Sequence, residues 1–204
     1  MSARGKLITL EGVDGAGKST HLEFVADLVG GRGRHVIVTR EPGGTDLAER
    51  LREAILSHPM EPLVETLLLF AARADHVARV IRPALEAGTW VVCDRFADAT
   101  LAYQGAGKGV PSHLIERLAE AAHPGLAPER TLVFDCAYEI ARQRLARSGK
   151  PLDRFEREDR AFFERVRNAY LARATAEPAR LRVIDAGAAL AEIRKALEKN
   201  LADL

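Results

Sequence analysis

Residues 6–20 read Lys-Leu-Ile-Thr-Leu-Glu-Gly-Val-Asp-Gly-Ala-Gly-Lys-Ser-Thr, an apolar run that breaks into glycines and then into a helical pattern. Gly12-x-x-x-x-Gly17-Lys18-Ser19 has P-loop spacing in the strand–loop–helix setting that the motif requires. The chemistry needs these residue types. Gly12, Gly15 and Gly17 let the backbone bend until successive N–H groups converge on a polyphosphate. A helix beginning near Lys18 turns its positive dipole end to the same anion. Lys18 reaches the β and γ phosphates as a point charge, and the Ser19 hydroxyl is a Mg²⁺ ligand. The nucleotide site predicted here is Gly12, Val13, Asp14, Gly15, Ala16, Gly17, Lys18, Ser19 and Thr20. A bland turn would not call for the three glycines and the Lys-Ser ending together.

Outward from this stretch, strand patterns recur at 7–10, 35–39, 90–93, 131–134 and 181–184. Helical patterns begin near Lys18, Asp46, Pro62, Ser112, Tyr138, Glu156 and Ala188. Mostly apolar strands alternating with helices predict an α/β fold: a P-loop NTPase-type parallel sheet of about five strands, covered by helices on both faces. Turn chemistry is densest at 42–44, 105–109 and 148–151. No repeat or linker divides the chain, and 204 residues suit one domain, 1–204, burying roughly 70% of its unfolded surface.

The 47% hydrophobic and 29% charged content is that of an ordinary soluble globule. A net charge of +1 implies no broad basic field for nucleic acid or anionic lipid, so anion binding is expected to be local. No apolar run approaches a membrane span, and the few residues before the first strand are too short for a signal peptide. Cys93 and Cys136 have neither disulfide nor metal spacing, so both are expected as thiols in a reducing, cytoplasmic compartment.

In open α/β sheets ligands bind beyond the carboxyl ends of strands, so the residues at the strand tips matter most. After the second strand, Thr39-Arg40-Glu41-Pro42-Gly43-Gly44-Thr45 is either a turn with Thr45 capping the next helix or a substrate-facing tip. After the third, Asp94-Arg95 offers a carboxylate for Mg²⁺ or its waters and a planar fork suited to a phosphate. Asp135, after the fourth, is a rival for the metal; the neighbouring Arg95 favours Asp94. On the helix over 62–86, Arg73 lies in an apolar stripe of Leu69, Val77, Val80 and Ile81, where an unpaired charge is costly. It either snorkels or pairs with a distant carboxylate, or it bonds a ligand with Phe70 or Leu69 beside it; spacing does not separate these. The arginine-rich 147–160 reads alone as a solvated face, and behind a P-loop as a mobile lid that excludes water and neutralises charge.

Taken together, the P-loop, Thr-Arg-Glu-Pro-Gly-Gly-Thr, Phe-Ala-Ala-Arg-Ala-Asp-His, Asp94-Arg95-Phe96 with Ala102-Tyr103-Gln104-Gly105, and Leu152-Asp153-Arg154-Phe155-Glu156 resemble bacterial thymidylate kinases from about Lys6 to the C-terminus. The resemblance implies transfer of the ATP γ-phosphoryl to dTMP, giving dTDP and ADP in dTTP synthesis, with Mg²⁺, in a homodimer. It implies that Arg95 grips the acceptor phosphate and Arg73 bonds the thymine carbonyl, with Thr100 and Gln104 at the base edge and Tyr103 against the sugar. Asp14 would lie near the deoxyribose 3′-hydroxyl, and Glu41 and Arg52 at the phosphate end. With no arginine among Val13, Asp14, Gly15 and Ala16, the lid would supply one, Arg154 with Arg147. Lys18, Arg95 and Arg154 are then the catalytic residues, and Ser19 and Asp94 the metal ligands. The chain departs from the family pattern in Ala99, where many members have serine. Its aromatic, Phe70, stands three residues before Arg73, where Leu69 holds the usual stacking place.

Three other readings compete. A deoxynucleoside kinase would use Glu41 or Asp94 as a base toward a sugar hydroxyl. A catalytically silent ATP-binding regulator would have no need of Lys18, Ser19, Asp94 and Arg95 together. A GTPase lacks its Asn-Lys-x-Asp motif here.

Overall fold

A computed structural model describes residues 4–31 and 33–204. The five expected strands form one parallel sheet in the order β2-β3-β1-β4-β5. They are β1 (Leu7–Gly12), β2 (Val36–Arg40), β3 (Trp90–Asp94), β4 (Arg130–Asp135) and β5 (Leu181–Asp185). Each of the last four ends one residue beyond its predicted limit, and β1 two beyond, so the polar tip residues still belong to the ladder. Alternation along the strands feeds both faces. Ile8, Leu10 and Val92 pack with Val25 and Val29 of α1 (Ser19–Gly30) and with Ile193 and Leu197 of α9 (Leu190–Leu201). Leu7, Val91 and Cys93 pack instead with Val77, Ile81 and Leu85. Strands buried from both sides are what their near-continuous apolar runs require.

The order reversal at β1 opens a crevice at the carboxyl edge of the sheet. The register sets Leu10 beside Asp94, Arg40 beside Asp94 and Gly12 beside Phe134, so the ends of four strands meet there. α2 (Asp46–Ser57) begins where expected, because Thr45 Oγ1 accepts the N–H of Ala48 at 3.1 Å. The rod expected over 62–86 is α3 (Pro62–His76), a π-helical turn at Val77–Ile81 and α4 (Arg82–Glu86). Pro83, which has no N–H to donate, follows that turn, and Arg82 N–H bonds Val77 O five residues back.

Two expectations about turns are corrected. Residues 105–109 read as a loop, yet 97–107 is helical: α5 (Ala97–Thr100) runs into a π-helical segment, Leu101–Gly107. The glycines are there for proximity. A Cβ on Gly107 would stand 2.6 Å from the Phe162 ring of α8 (Arg160–Ala176). The helix expected from Glu156 starts only at Arg160. Asp153 Oδ1 accepts the N–H groups of Phe155 and Glu156 and makes a turn of its own, and Asp159 caps α8 through Phe162 N–H at 2.7 Å. α6 (Ser112–Ala122) and α7 (Tyr138–Arg147) begin as predicted, and α9 two residues after Ala188. Cys93 and Cys136 are free and buried. Among the described residues, no helix is long and apolar enough to cross a membrane.

Candidate active site

The phosphate cradle forms at the end of β1. Gly12, Gly15 and Gly17 all take positive φ, and a Cβ on Gly15 would lie 2.5 Å from Ala141 O of α7. Lys18, buried at the mouth of α1, donates to Gly12 O and Val13 O at 3.0 and 3.1 Å. Burial and then Arg95 hold its pKa below the usual lysine value, against Asp14, Asp94 and Glu11. Polyphosphate in the loop would add the opposite pull. Ser19 and Thr20 are exposed and line the same wide cleft as Asp14, Gly15, Ala16 and Gly17.

Arg95 follows β3 at φ 69°, a left-handed conformation that costs a non-glycine residue energy and clusters at functional sites. Cys93 Sγ and the backbone hold the turn: Arg95 N–H bonds Leu10 O at 3.0 Å, and Phe96 N–H bonds Glu11 Oε1 at 2.7 Å. The guanidinium is thereby aimed into the crevice, where it meets Asp14 Oδ1, Gly12 O at 2.9 Å and Tyr103 Oη at 3.1 Å. Burial opposes the charge on Arg95, but Asp14 and the two tyrosines beside it raise its pKa well above normal. Burial likewise pushes Asp14 up, and Arg95 with Lys18 more than reverses it, so Asp14 stays a carboxylate.

A second lobe opens beside it. Leu69, Arg73, Phe96, Ala99, Thr100 and Gln104 form its wall. Arg73 is not snorkelled: Nε bonds Glu41 Oε2 at 2.6 Å, and Nη2 bonds Phe96 O and Thr100 Oγ1 at 3.1 and 3.0 Å. Nη1 is buried with no hydrogen-bond partner among the described residues. Glu41 also takes His76 Nδ1 at 3.1 Å; burial raises its carboxyl, but Arg73 and His76 bring the net below normal. The two lobes share Asp14, Glu41, Arg52, Arg95 and Asp153, so they meet end to end at an arginine-lined seam.

Several expectations change here. Phe70 does not line the lobe. One residue past Leu69, it turns about 100° around α3 into a core with Val110 and Ile115, and its ring lies under Arg73 at 4.9 Å. Leu69, half-buried, takes the place beside the pocket. Asp135 is no rival for a metal, being held by both arms of Arg167 at 2.6 and 2.8 Å. Arg147 sits at the exposed end of α7 and does not line the cleft. Arg144, one turn earlier, does, and it reaches Ala16 O at 3.1 Å and Ala186 O at 2.8 Å. Arg154 stacks on Phe155 and pairs with Glu65, on the pocket side rather than over the P-loop. Thr45 caps its helix, whereas Glu41 from the same stretch faces the seam.

Sequence reasoning also passed over Glu11, Glu65, Arg144 and Tyr170. Glu11 carried a signal, a carboxylate inside an apolar strand that has to find partners. Its partners are Phe96 N–H and Tyr170 Oη, and burial with Asp98 pushes it up to about 7.

For a cation, Asp94 Oδ1 is the fitting donor: buried, without a hydrogen-bond partner among the described residues and beside the cleft that Ser19 lines. One or two such oxygens with phosphate suit Mg²⁺, which keeps several waters.

A phosphate cradle, a second lobe walled for a small polar ligand and arginine at their junction define a P-loop nucleotide phosphotransferase. The profile of the thymidylate kinase family matches residues 10–197. A thymidylate kinase of Bordetella petrii is 54% identical over 98% of this chain and 97% of its own, and one of Ralstonia nicotianae 55% identical over 98% and 99%. The crystal structure of a thymidylate kinase from Ehrlichia chaffeensis superposes with a TM-score of 0.74 at 32% identity, covering 89% of this chain and 93% of that one. The chain belongs to the thymidylate kinase family.

Proposed function

We propose that ATP lies on residues 12–20 and dTMP in the second lobe, and that the γ-phosphoryl of ATP passes to dTMP across the seam, giving dTDP and ADP. The observation that carries this is the junction of the two lobes at Asp14, Arg52 and Arg95, where two phosphate groups would meet. The acceptor oxygen is already ionised at neutral pH, so the work is alignment and charge neutralisation rather than base catalysis. Arg95 binds and aligns the acceptor phosphate, with Arg52, held by Pro42 O at 3.0 Å, beside it. Arg73, Thr100 and Gln104 hold the base edge, and Leu69 covers it. Tyr103 Oη, tied to Asp14 at 2.8 Å, stands against the sugar.

Lys18 and the loop N–H groups hold the donor phosphates, and Arg144 supports the loop from α7. Arg154 reaches the transferred group only by leaving Glu65. Ser19 and Asp94 would hold Mg²⁺ or its waters, and such an ion would supply neutralisation of phosphate charge. A hydroxyl acceptor would need a carboxylate base, and Glu41 is committed to Arg73 and His76.

The reading extends to a homodimer, with exposed Leu63, Val64 and Leu67 of α3 as the stripe a second copy would cover. It also places the protein in the cytoplasm, where its thiols stay reduced. The test is ADP release across thymidine, dTMP and other monophosphates, with and without Mg²⁺. Release is expected with dTMP and Mg²⁺ together; release driven by thymidine instead would overturn the acceptor assignment.

A further inference from the structure

The base lobe ends on a charge cluster that the reading above leaves without a task. Glu65 of α3 is wholly buried. It accepts from Gln104 Nε2 at 2.7 Å and Lys108 Nζ at 2.9 Å, and pairs with Arg154. The Lys108 ammonium can only donate, and the Gln104 NH₂ donates beside it, so Glu65 serves as the acceptor of this cluster. The Gln104 amide has no choice of orientation. Its NH₂ must face Glu65, and Oε1, with no hydrogen bond to the described residues, is left to the lobe that Gln104 lines. Nearby on the same wall, Arg73 Nη1 is the buried donor without a hydrogen-bond partner among the described residues, and its other nitrogens are held by Glu41, Phe96 O and Thr100. The wall therefore presents one fixed donor and one fixed acceptor.

We propose that Glu65 is a specificity-determining positioning residue: by orienting Gln104, it selects a pyrimidine whose edge carries a carbonyl beside an N–H. That is the 4-oxo edge common to thymine and uracil. A 4-amino pyrimidine offers the reverse, an NH₂ beside a bare ring nitrogen, and meets donor against donor and acceptor against acceptor. Leaving such groups unpaired in a closed pocket is what makes hydrogen-bonding sites selective. The inference rests on the reading that this lobe holds dTMP. Glu65 takes no part in telling thymine from uracil, because the 5-methyl is off that edge.

The test uses Glu65→Gln, whose carboxamide satisfies Gln104 in either orientation, so the amide is no longer dictated. KM for dTMP and inhibition constants for dUMP and dCMP against it are compared with those of the wild-type protein. dTMP and dUMP are expected to weaken together by about tenfold, the worth of one ordinary hydrogen bond, and dCMP to hold or tighten. The dTMP-to-dCMP preference then falls about tenfold, while dTMP to dUMP is unchanged. Arg154 is released by the same substitution, so kcat is free to move; ratios among bases are insensitive to that. All three ligands weakening by one factor, or none moving, would overturn the proposal. Glu65→Asp keeps the charge facing Lys108 and Arg154 but falls a methylene short of Gln104. It is read by the same ratios should the glutamine variant fail to melt cooperatively. A wild-type protein that does not bind dTMP would instead overturn the acceptor assignment.

Discussion

Around the base lobe Arg73 is held by Glu41, Phe96 O and Thr100, and Gln104 by Glu65, all contacts within the protein. Around the phosphate lobe Lys18 rests on the carbonyls of its own loop, Ser19 and Thr20 face solvent, and Asp94 Oδ1 has no hydrogen-bond partner among the described residues. The contrast follows from what each lobe must bind. A neutral base is read by a few directed hydrogen bonds, and those are accurate only when rotamers are locked beforehand. A polyphosphate brings several charges of its own and is held by loop N–H groups and a point charge rather than by a pair of locked side chains. Substitutions in the phosphate lobe should therefore act on turnover, and substitutions in the base lobe on selectivity.

The largest effect should come from Lys18→Ala. Among the described residues its ammonium hydrogen-bonds only Gly12 O and Val13 O, so the fold should survive while kcat falls at least about a thousandfold. A thermal melt with steady-state kinetics checks both halves; a tenth of the turnover surviving would sink the P-loop assignment. Next comes Arg95→Ala at the seam, where both lobes should feel the loss. KM for dTMP should rise and kcat fall, together about a hundredfold or more in kcat/KM, since a charge pair that aligns the acceptor is removed. Unaltered kinetics toward dTMP would take Arg95 out of the site.

Glu11 joins the two lobes from beneath, through Phe96 N–H and Tyr170, and it gives a prediction about stability. Burial raises its carboxyl from an ordinary 4.5 to about 7. Between those values the folded chain binds more protons than the unfolded one, so this group's contribution is complete at low pH and is lost as pH rises through about 7. Glu11→Gln keeps an acceptor for Phe96 N–H and cannot ionise. Its stability relative to wild type should climb by up to about 3 kcal/mol between pH 4.5 and 8, read from urea unfolding. Parallel curves for the two proteins would show that Glu11 is charged throughout.

The fold was legible because its signals are local. β-periods, the glycine loop and the helix starts at Asp46, Pro62, Ser112 and Tyr138 each depend on a few adjacent residues. The misses are tertiary. Gly105 and Gly107 look like a loop until Ile115 and Phe162 are known to press on them. Glu156 looks like a helix start until Asp153 is seen spending its carboxylate on a turn. In the site, most residues quoted in motifs line the crevice, Phe70 and Arg154 excepted, whereas Glu65 and Arg144 act through neighbours about 40 and 130 positions away. Phe70 shows the limit most clearly, since one residue along a helix separates pocket wall from core.

Arg144 and Arg147 give the smallest prediction and the finest division within the phosphate lobe. Both lie on α7, three residues apart, and sequence alone favours the later one because it opens the lid. The helix face that touches the P-loop is set by Ala141, whose carbonyl a Gly15 side chain would strike, and Arg144 lies on it at i+3. Arg144 Nη1 already donates to Ala16 O, and Gly17 would bring a Cβ within 3.5 Å of the same nitrogen. Removing that guanidinium withdraws a cation and a brace from the loop without touching the base wall. Arg144→Ala should therefore raise the KM for ATP by about tenfold and leave the dTMP-to-dUMP ratio alone, the scale of one charge-assisted hydrogen bond. Arg147→Ala, at the exposed end of the helix, should stay within about twofold of wild type for both substrates. Reversed magnitudes for the two variants would mean that Arg147, and not Arg144, is the α7 arginine that meets the nucleotide.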